Sequence, residues 1–545
     1  MFGRSAILGL ALTLAVTVRA QDLSTEVYTS EDELTEALAN SEISYQQYEV
    51  LREAIIEGVE LRQYHLLDEI PNLSHFLETE KPLSTALQDE QLDPFQSQGV
   101  TGGRLSGMLR YRYRYDLDQE IPSQYLGSVR VGRDRVSAYC TLHREQSGDE
   151  RVINRYLEYR NPSGTVREIR LGNFTRRLGM GTVLGHRGKL LSFTGRIDNE
   201  SLLFPDFGGY NGAYTAIHAG RAGVQLLTSF NRDADHTLST AAGMLTYNLR
   251  VLTSGLIVGV NRIRNRHTDA SLGDVKVALP LRYRYKSGYA ALETCLQFGH
   301  DRGWSGVQIE GRHRFRTAEI KYAGWSYADR YLDLSGGSKT GRSRRRHYLV
   351  DVDFEMSDKH SGHTGGMIKT IVLMTDQMQL VNAMLYSAQH RDSADFQLMS
   401  GLIHEGDSGP SWRLDHLVKS RRRAGTAGVS HFTGHRTRLE IRFTAGQTAL
   451  RSYIAHNTSS YREDFLSFFV RLDYNSPALG QLQVWSNLSR LDLRHGAVEY
   501  WYLFVRNEQP LVEGVMAAVK ISRSYNRDTG RTHRTQLSLE VKARW

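Results

Sequence analysis

From Gly103 to the end of the chain, apolar and polar residues alternate with a period of two, the spacing of a β-strand with one oily and one wet face. GMLRYRYRYDL sets Leu109, Tyr111, Tyr113, Tyr115 and Leu117 against Arg110, Arg112, Arg114 and Asp116. VKVALPLRYRYK sets Val275, Val277, Leu279, Leu281, Tyr283 and Tyr285 against Lys276, Arg282, Arg284 and Lys286. YLVDVDFEM opposes Tyr348, Val350, Val352, Phe354 and Met356 to Asp351, Asp353 and Glu355, and VRLDY and LQVWSNLSRLDLR continue the pattern. The closing QLSLEVKARW alternates without a miss, with Leu537, Leu539, Val541, Ala543 and Trp545 on the apolar side. Polar stretches such as RYLDLSGGSKTGRSRRR and SRSYNRDTGRTH read as connecting loops.

Ahead of Gly103 the period is helical. Ser30-Glu31-Asp32-Glu33 and Ser44-Tyr45-Gln46-Gln47 are capping boxes, and the second opens a face of Tyr48, Leu51, Ile55 and Ile56 closed by Gly58. A further helix over Val59 to Leu67 runs into LLDEIPNLSHFL, where Ile70-Pro71-Asn72-Leu73 breaks it and Ser74 caps the next. STALQDEQLDPFQSQG, with Pro94 and Gly99, reads as a linker. The pattern predicts a small all-α domain and linker over residues 21–98 and a mainly β domain over residues 103–545.

The wet face decides what kind of β domain this is. Arginine and lysine recur opposite the aromatics in strand after strand without local partners, which a dry sandwich core would not accept. A propeller would show a fixed blade motif, and none is found. A wide transmembrane barrel accepts such residues in a polar lumen and turns the apolar face to lipid. At about 9–11 residues per tilted strand, the domain accommodates about 22 to 26 antiparallel strands. The final strand is then expected to close beside the first, with its oily face on lipid. The 28 tyrosines fit girdles at the two membrane interfaces.

Composition and charge refine this reading. Arg4, the apolar run Ala6 to Val18 and the small residues Val18 and Ala20 form an export signal, residues 1–20, cleaved after Ala20. Mean hydropathy is −0.44, as expected when half of each strand is hidden from lipid. Residues 21–99 carry 18 Asp and Glu against 3 Lys and Arg. Residues 100–545 carry 63 Lys and Arg against 42 Asp and Glu, a net of +21. Opposite charges on the two regions argue for two domains. The only cysteines, Cys140 and Cys295, lie far apart in strand-like sequence and read as wall-facing or buried thiols rather than a disulfide.

Two features resemble known families. A terminal aromatic on an alternating strand, here Leu537, Leu539, Val541 and Trp545, resembles the signal by which the barrel-assembly machinery of Gram-negative outer membranes recognises its clients. LGNFTRRLGMGTVLG, punctuated by Gly172, Gly179, Gly181 and Gly185, resembles the Gly-rich segment of exported barrel proteins carrying an N-terminal helix-hairpin-helix domain. The order of parts is similar too: signal, short helical domain containing LLDEIPNLS, long barrel. The resemblance implies an outer-membrane barrel with its helical domain in the periplasm. From the residues alone, the same glycines would serve a bulge, a tight bend or a loop folded against the wall.

The candidate hairpin Ile70 to Ser74 lacks glycine and sits in the acidic region, so it would repel phosphate and no nucleic-acid partner is expected. His360 and His363 lie in a Gly/Ser stretch without metal-site spacing, and no nucleophile elbow stands in a strand–turn–helix context. No catalytic residue, metal or cofactor is expected. The sequence points to a channel or transporter with a basic lumen for anionic solutes, lined by Arg110, Arg112, Arg114, Arg282, Arg284 and Lys286. Two other readings stay open: a structural or secretion-assembly barrel whose helical domain docks a periplasmic partner, and an outer-membrane enzyme. Expected contacts include outer-membrane lipid and lipopolysaccharide; the basic runs GRSRRRH and KSRRRAG would suit lipopolysaccharide phosphates or other anionic ligands, or simply face water.

Overall fold

The computed structural model describes residues 105–545 apart from connecting stretches, chiefly 118–123, 145–149, 186–202, 204–209 and 332–361. The signal, the helical domain and the strand expected over Tyr348 to Met356 lie outside the described residues. The chain order is β1 (Leu105–Asp116), β2 (Gln124–Arg133), β3 (Val136–Arg144), β4 (Glu150–Arg160), β5 (Val166–Phe174), β6 (Arg177–Leu178), β7 (Leu184–Gly185), β8 (Tyr210–Ala219) and β9 (Ala222–Arg232). There follow β10 (His236–Leu249), β11 (Leu252–Asn265), β12 (Ser271–Tyr285), β13 (Gly288–Phe298), β14 (Gly303–Arg314), β15 (Ala318–Tyr327), β16 (His363–Leu373), β17 (Met378–Gln389) and β18 (Ser393–His404). The remainder is β19 (Ser411–Gly425), β20 (Gly428–Ala445), β21 (Thr448–Ser459), β22 (Phe465–Ser476), β23 (Gly480–Asp492), β24 (Val498–Val512), β25 (Val515–Asn526) and β26 (Arg531–Arg544).

Among the described residues, 24 strands form one antiparallel sheet and β6 pairs only with β7. Each strand of the large sheet pairs with its neighbour in sequence, except that β5 skips the small hairpin to pair with β8. β1 pairs with β26, so the sheet closes on itself and has no edge. The seam runs Met108↔Arg544 to Asp116↔Gln536. Beyond it Gly107 and Trp545 exchange backbone hydrogen bonds of 2.9 and 3.1 Å.

Alternation in sequence becomes alternation across the wall. On β11, Leu256, Val258 and Val260 are exposed while Ile257, Asn261, Ile263 and Asn265 are buried. On β26, Leu539 and Val541 are exposed while Gln536, Ser538 and Glu540 are buried. The molecule is inside-out compared with a water-soluble barrel: apolar side chains face outward and many charged ones face the interior. One rim is built of tight turns such as Asp134-Arg135, Gly220-Arg221 and Lys286-Ser287, and β26 ends there. Asp134 and Gly220 take positive φ, which lets such turns follow the right-handed strand twist. The opposite rim carries the longer connections.

Two expectations change. Trp545 is buried instead of facing outward into open surroundings: its indole lies over Gly107, where an added Cβ would stand 2.4 Å from the ring. The aromatic thus covers a bare stretch of β1 backbone at the seam. SRSYNRDTGRTH is not a whole loop, because β25 extends to Asn526 and β26 starts at Arg531. KSRRRAG is the end of strand β19.

Candidate functional site

The Gly-rich segment folds into the barrel. After β5 the chain turns inward, and β6 and β7 pair through Arg177↔Gly185 and Leu178↔Leu184. Leu178, Val183 and Leu184 are wholly buried and pack with Phe174, Tyr210, Leu227 and Ile257 in one apolar cluster. Two positive φ values make the turn, +59° at Gly179 and +89° at Gly181. Space also demands glycine: a Cβ on Gly179 would stand 2.0 Å from Glu293 Oε2. The wall yields in return at Gly259, where a Cβ would meet Val183 Cγ1 at 2.5 Å.

Glu293 of β13 holds this turn in place. Its carboxylate accepts the Met180 backbone N–H at 2.6 Å, the Thr182 N–H at 2.9 Å and the Thr182 hydroxyl. Tyr331, on the connection after β15, donates its hydroxyl proton to the Thr182 carbonyl. Toward the rim with the longer connections lies a polar belt across four strands. Thr240 donates to Asn261 (3.0 Å), Asn261 and Gln297 donate to Asp274 (2.8 and 3.1 Å), and Lys276 pairs with Asp274 at 3.3 Å. Lys276 Nζ also sits 4.7 Å from the Tyr331 ring centroid. The belt and the segment therefore meet at one tyrosine. Arg176 ties the root of the segment to β5 through an ion pair with Glu168 and covers the Tyr214 ring at 4.6 Å.

The wall from β19 round to β1 is built differently, with each buried carboxylate surrounded by several cations. Glu540 lies 2.6 Å from Arg110 Nε, 3.7 Å from Arg112, 3.6 Å from Arg506 and 3.4 Å from Lys542. Glu440 holds Arg442 and Arg451 at 2.7 and 2.8 Å, and Asp415 holds Arg438 and Arg413 at 2.9 and 3.2 Å. Between these clusters runs an aromatic ladder. Tyr453 stacks on Phe469 (5.0 Å), Phe469 meets Trp485 edge-on (5.2 Å), and Trp485 stacks on Phe504 (5.5 Å). Lys520 caps its end 4.5 Å from the Phe504 ring. A smaller cluster on β14 and β15 gathers Arg312, Arg314 and Lys321 around Glu319 at 2.7, 2.8 and 3.1 Å.

The residues singled out from sequence fall into separate places. Arg110 and Arg114 are buried on the inner face, and Arg112 is half-buried beside Glu540. The partner that the local sequence lacked comes from β26, 430 residues away. Arg282 lies over the Tyr289 ring at 4.3 Å. Arg284 is exposed near the end of β12, and Lys286 stands in the turn after it, so this pair belongs to the rim and not to mid-wall. Gly172 (φ +107°) bends β5 just before the inward segment, and Gly185 ends the small hairpin. Cys140 and Cys295 are free thiols, Cys295 buried and Cys140 half-buried. His363 opens β16 as a buried residue, while His360 and GRSRRRH lie outside the described residues. Among the described residues, no group of three or more His, Cys, Asp and Glu side chains is placed to hold a metal. Glu293, Tyr331 and the Asp274–Lys276 pair were not singled out from sequence. Glu293 is 111 residues from Thr182, and its one local sign is a carboxylate at an inward position of a strand.

No family model matches the sequence, and no curated protein matches it. Solved structures of other large barrels are similar at a distance. The siderophore receptor PirA from Pseudomonas aeruginosa has a TM-score of 0.48 at 10% identity, covering 81% of this chain and 80% of that one. An E. coli P pilus tip assembly intermediate, PapC-PapD-PapK-PapG, has a TM-score of 0.49 at 9% identity, covering 83% of this chain and 62% of that one. The FrpB iron transporter from Neisseria meningitidis has a TM-score of 0.41 at 8% identity, with 82% of each chain covered. At such identities and scores these proteins offer no guide to a ligand, and the function has to be argued from this chain's own residues.

Proposed function

We propose that the protein is an outer-membrane β-barrel that conducts or transports anionic solutes through a lumen partly occupied by its own Gly-rich segment. The observation that carries this reading is the inside-out wall: a closed sheet with leucine, valine and isoleucine outside and ion pairs inside. In water such an outer face would aggregate; in a bilayer it is solvated, and closure leaves no open sheet edge within it. Short turns at one rim and longer connections at the other fit a periplasmic and an extracellular end. On that orientation the inward segment enters from the extracellular side, and the acidic region of residues 21–98 lies in the periplasm after export. There it is suited by charge to a periplasmic partner or to the mouth of the basic barrel.

Anion preference rests on the basic side chains that the inner face carries. Arg110, Arg112, Arg506 and Lys542 gather around Glu540, with Arg506 also paired to Glu508, and Arg312, Arg314 and Lys321 gather around Glu319, so basic side chains recur on the inner face. Fixed cations on a pore wall favour anions by the same electrostatics that excludes cations. These carboxylates are committed to ion pairs, which favours a conduit over an enzyme. The test is the reversal potential of the full chain in a planar bilayer under a KCl gradient. Chloride preference is expected; cation preference would overturn the anionic assignment. A folded, inserted barrel without any conductance would favour the docking or assembly role.

A further inference from the structure

We propose that the acidic region of residues 21–98 docks on one half of the tight-turn rim, the arc of turns from β2 to β15. This deepens the reading above, which leaves that region at the periplasmic mouth, and rests on it. The rim divides into two unlike halves. The connections β2–β3, β4–β5, β8–β9, β10–β11, β12–β13 and β14–β15 hold five basic residues, Arg135, Arg221, Arg250, Lys286 and Arg316, against one acid, Asp134. The connections of the other half, from β16–β17 to β24–β25, hold Asp376, Glu405, Asp407 and Glu513 and, in sequence, no basic residue. All five basic residues are exposed, and so are Asp376 and Glu513. Asp134 stands 4.0 Å from Arg133 at the end of β2, which offsets it. The strand acids nearest the basic turns, Glu158, Glu168 and Glu319, face inward and are held by Arg160, Arg176 and Arg312.

Position, tether and charge single out the occupant. The first strand of the barrel begins at this rim, since Leu105 pairs with Arg133, so the chain ahead of it enters there. Only residues 99–104 separate the acidic region from β1, a tether of at most about 22 Å at about 3.6 Å per residue. The tether starts where the two halves meet, between β2 and β26, so the region can lie along either one. Charge makes the choice. Residues 21–98 carry 18 Asp and Glu against 3 Lys and Arg, which suits the basic half and is repelled by the acidic one. Each exposed pair is weak and screened by salt, but a short tether holds the partners at a high effective concentration and several pairs add. Successive turns of the arc lie about 9–10 Å apart or more, two strand spacings, so one acidic segment can meet several of them. The inward segment packs on the same half of the barrel, and docking there leaves the mouth open beside the β19–β1 wall.

Photo-crosslinking in the full chain, inserted into phosphatidylcholine nanodiscs, tests this. Benzoylphenylalanine would replace Val251 or Thr317 in the basic half and Met374 or Gln447 in the other, all four exposed, and the captured peptides would be mapped by mass spectrometry. Residues 21–98 should be captured at least about fivefold more from the basic half, and less at about 0.5 M salt. The Arg221→Glu/Lys286→Glu/Arg316→Glu variant should lose the difference while keeping heat-modifiable mobility, and Arg221→Lys/Arg316→Lys should retain it. Equal capture from the two halves, or a difference that survives the charge reversal, would overturn the dock. Capture of phosphatidylglycerol in place of residues 21–98, in nanodiscs that contain it, would also overturn it, because the arc would then take lipid headgroups. If the difference holds but chloride preference is absent, the channel reading fails and the dock stands. If the chain does not insert, the membrane reading fails, and the same comparison in detergent micelles decides the dock by itself.

Discussion

Two sectors of the same wall, both made of strands with polar residues turned inward, solve the problem of a polar interior in different ways. From β8 to β16 the inner face mixes apolar residues with polar ones, the belt through Asp274 and the cluster around Glu319 among them, and the inward segment covers part of it. Leu227, Ile257 and Cys295 join its core, and Glu293 spends its carboxylate on backbone N–H groups of the segment. From β19 round to β1 the inner face is satisfied by pairing across neighbouring strands, through Asp415–Arg438, Glu440–Arg451 and Glu540–Arg110. One sector is partly covered by a segment of its own chain, whereas the other is built by pairing within the wall. The lesson is that closure of the barrel and occupation of its lumen are separable: the first is written in the strands, the second in one glycine turn and one carboxylate.

The comparison makes graded predictions. The largest effect should follow Asp415→Leu, which removes the acid shared by the buried Arg438 and by Arg413. Breaking a buried pair in this way costs about 3–5 kcal/mol, seen as reduced refolding into lipid and a lower unfolding midpoint. Next is Leu109→Arg on the outer face of β1, expected to cost about 2–4 kcal/mol if it lies at mid-bilayer depth. Arg110→Leu should cost only about 1 kcal/mol, because Glu540 keeps Arg112, Arg506 and Lys542. Equal losses for the Leu109 and Arg110 variants in a refolding titration would mean that the faces are misassigned. Gly259→Val should cost about 1–3 kcal/mol by overpacking, confined to the contact with Val183. Proteolysis of residues 176–185 should then speed up while the barrel keeps its unfolding midpoint. An effect on the whole barrel would erase the distinction between the sectors.

The barrel was legible because its cause is local. In GMLRYRYRYDL or QLSLEVKARW, each residue's facing follows from its parity, and parity needs no knowledge of the rest of the fold. The closing pair β1–β26 followed from the same logic. What was not legible depends on residues far apart in sequence. Arg110, Arg112 and Arg114 read as lumen charges, but that Glu540 would sit among them depends on the closure register. Glycines at 179 and 181 signalled an irregular turn, yet a bend, a bulge and an inward loop call for the same residues. Only Glu293, more than a hundred positions downstream, distinguishes them. Trp545 was visible as a terminal aromatic, but its seat over Gly107 requires the seam to be formed.

On the proposed reading, a segment latched to Glu293 closes the lumen in one sector, independently of the wall whose basic residues set its charge. Single-channel recording of the full chain and its Glu293→Gln variant in planar bilayers tests it most directly. Glutamine keeps the size but weakens the acceptor and sets an N–H against the Met180 or Thr182 N–H, at a cost of about 1–3 kcal/mol to the latch. A higher conductance is expected for the variant, with unchanged preference for chloride and unchanged heat-modifiable mobility. Conductance equal to that of the unmodified chain, in a barrel that folds normally, would contradict it.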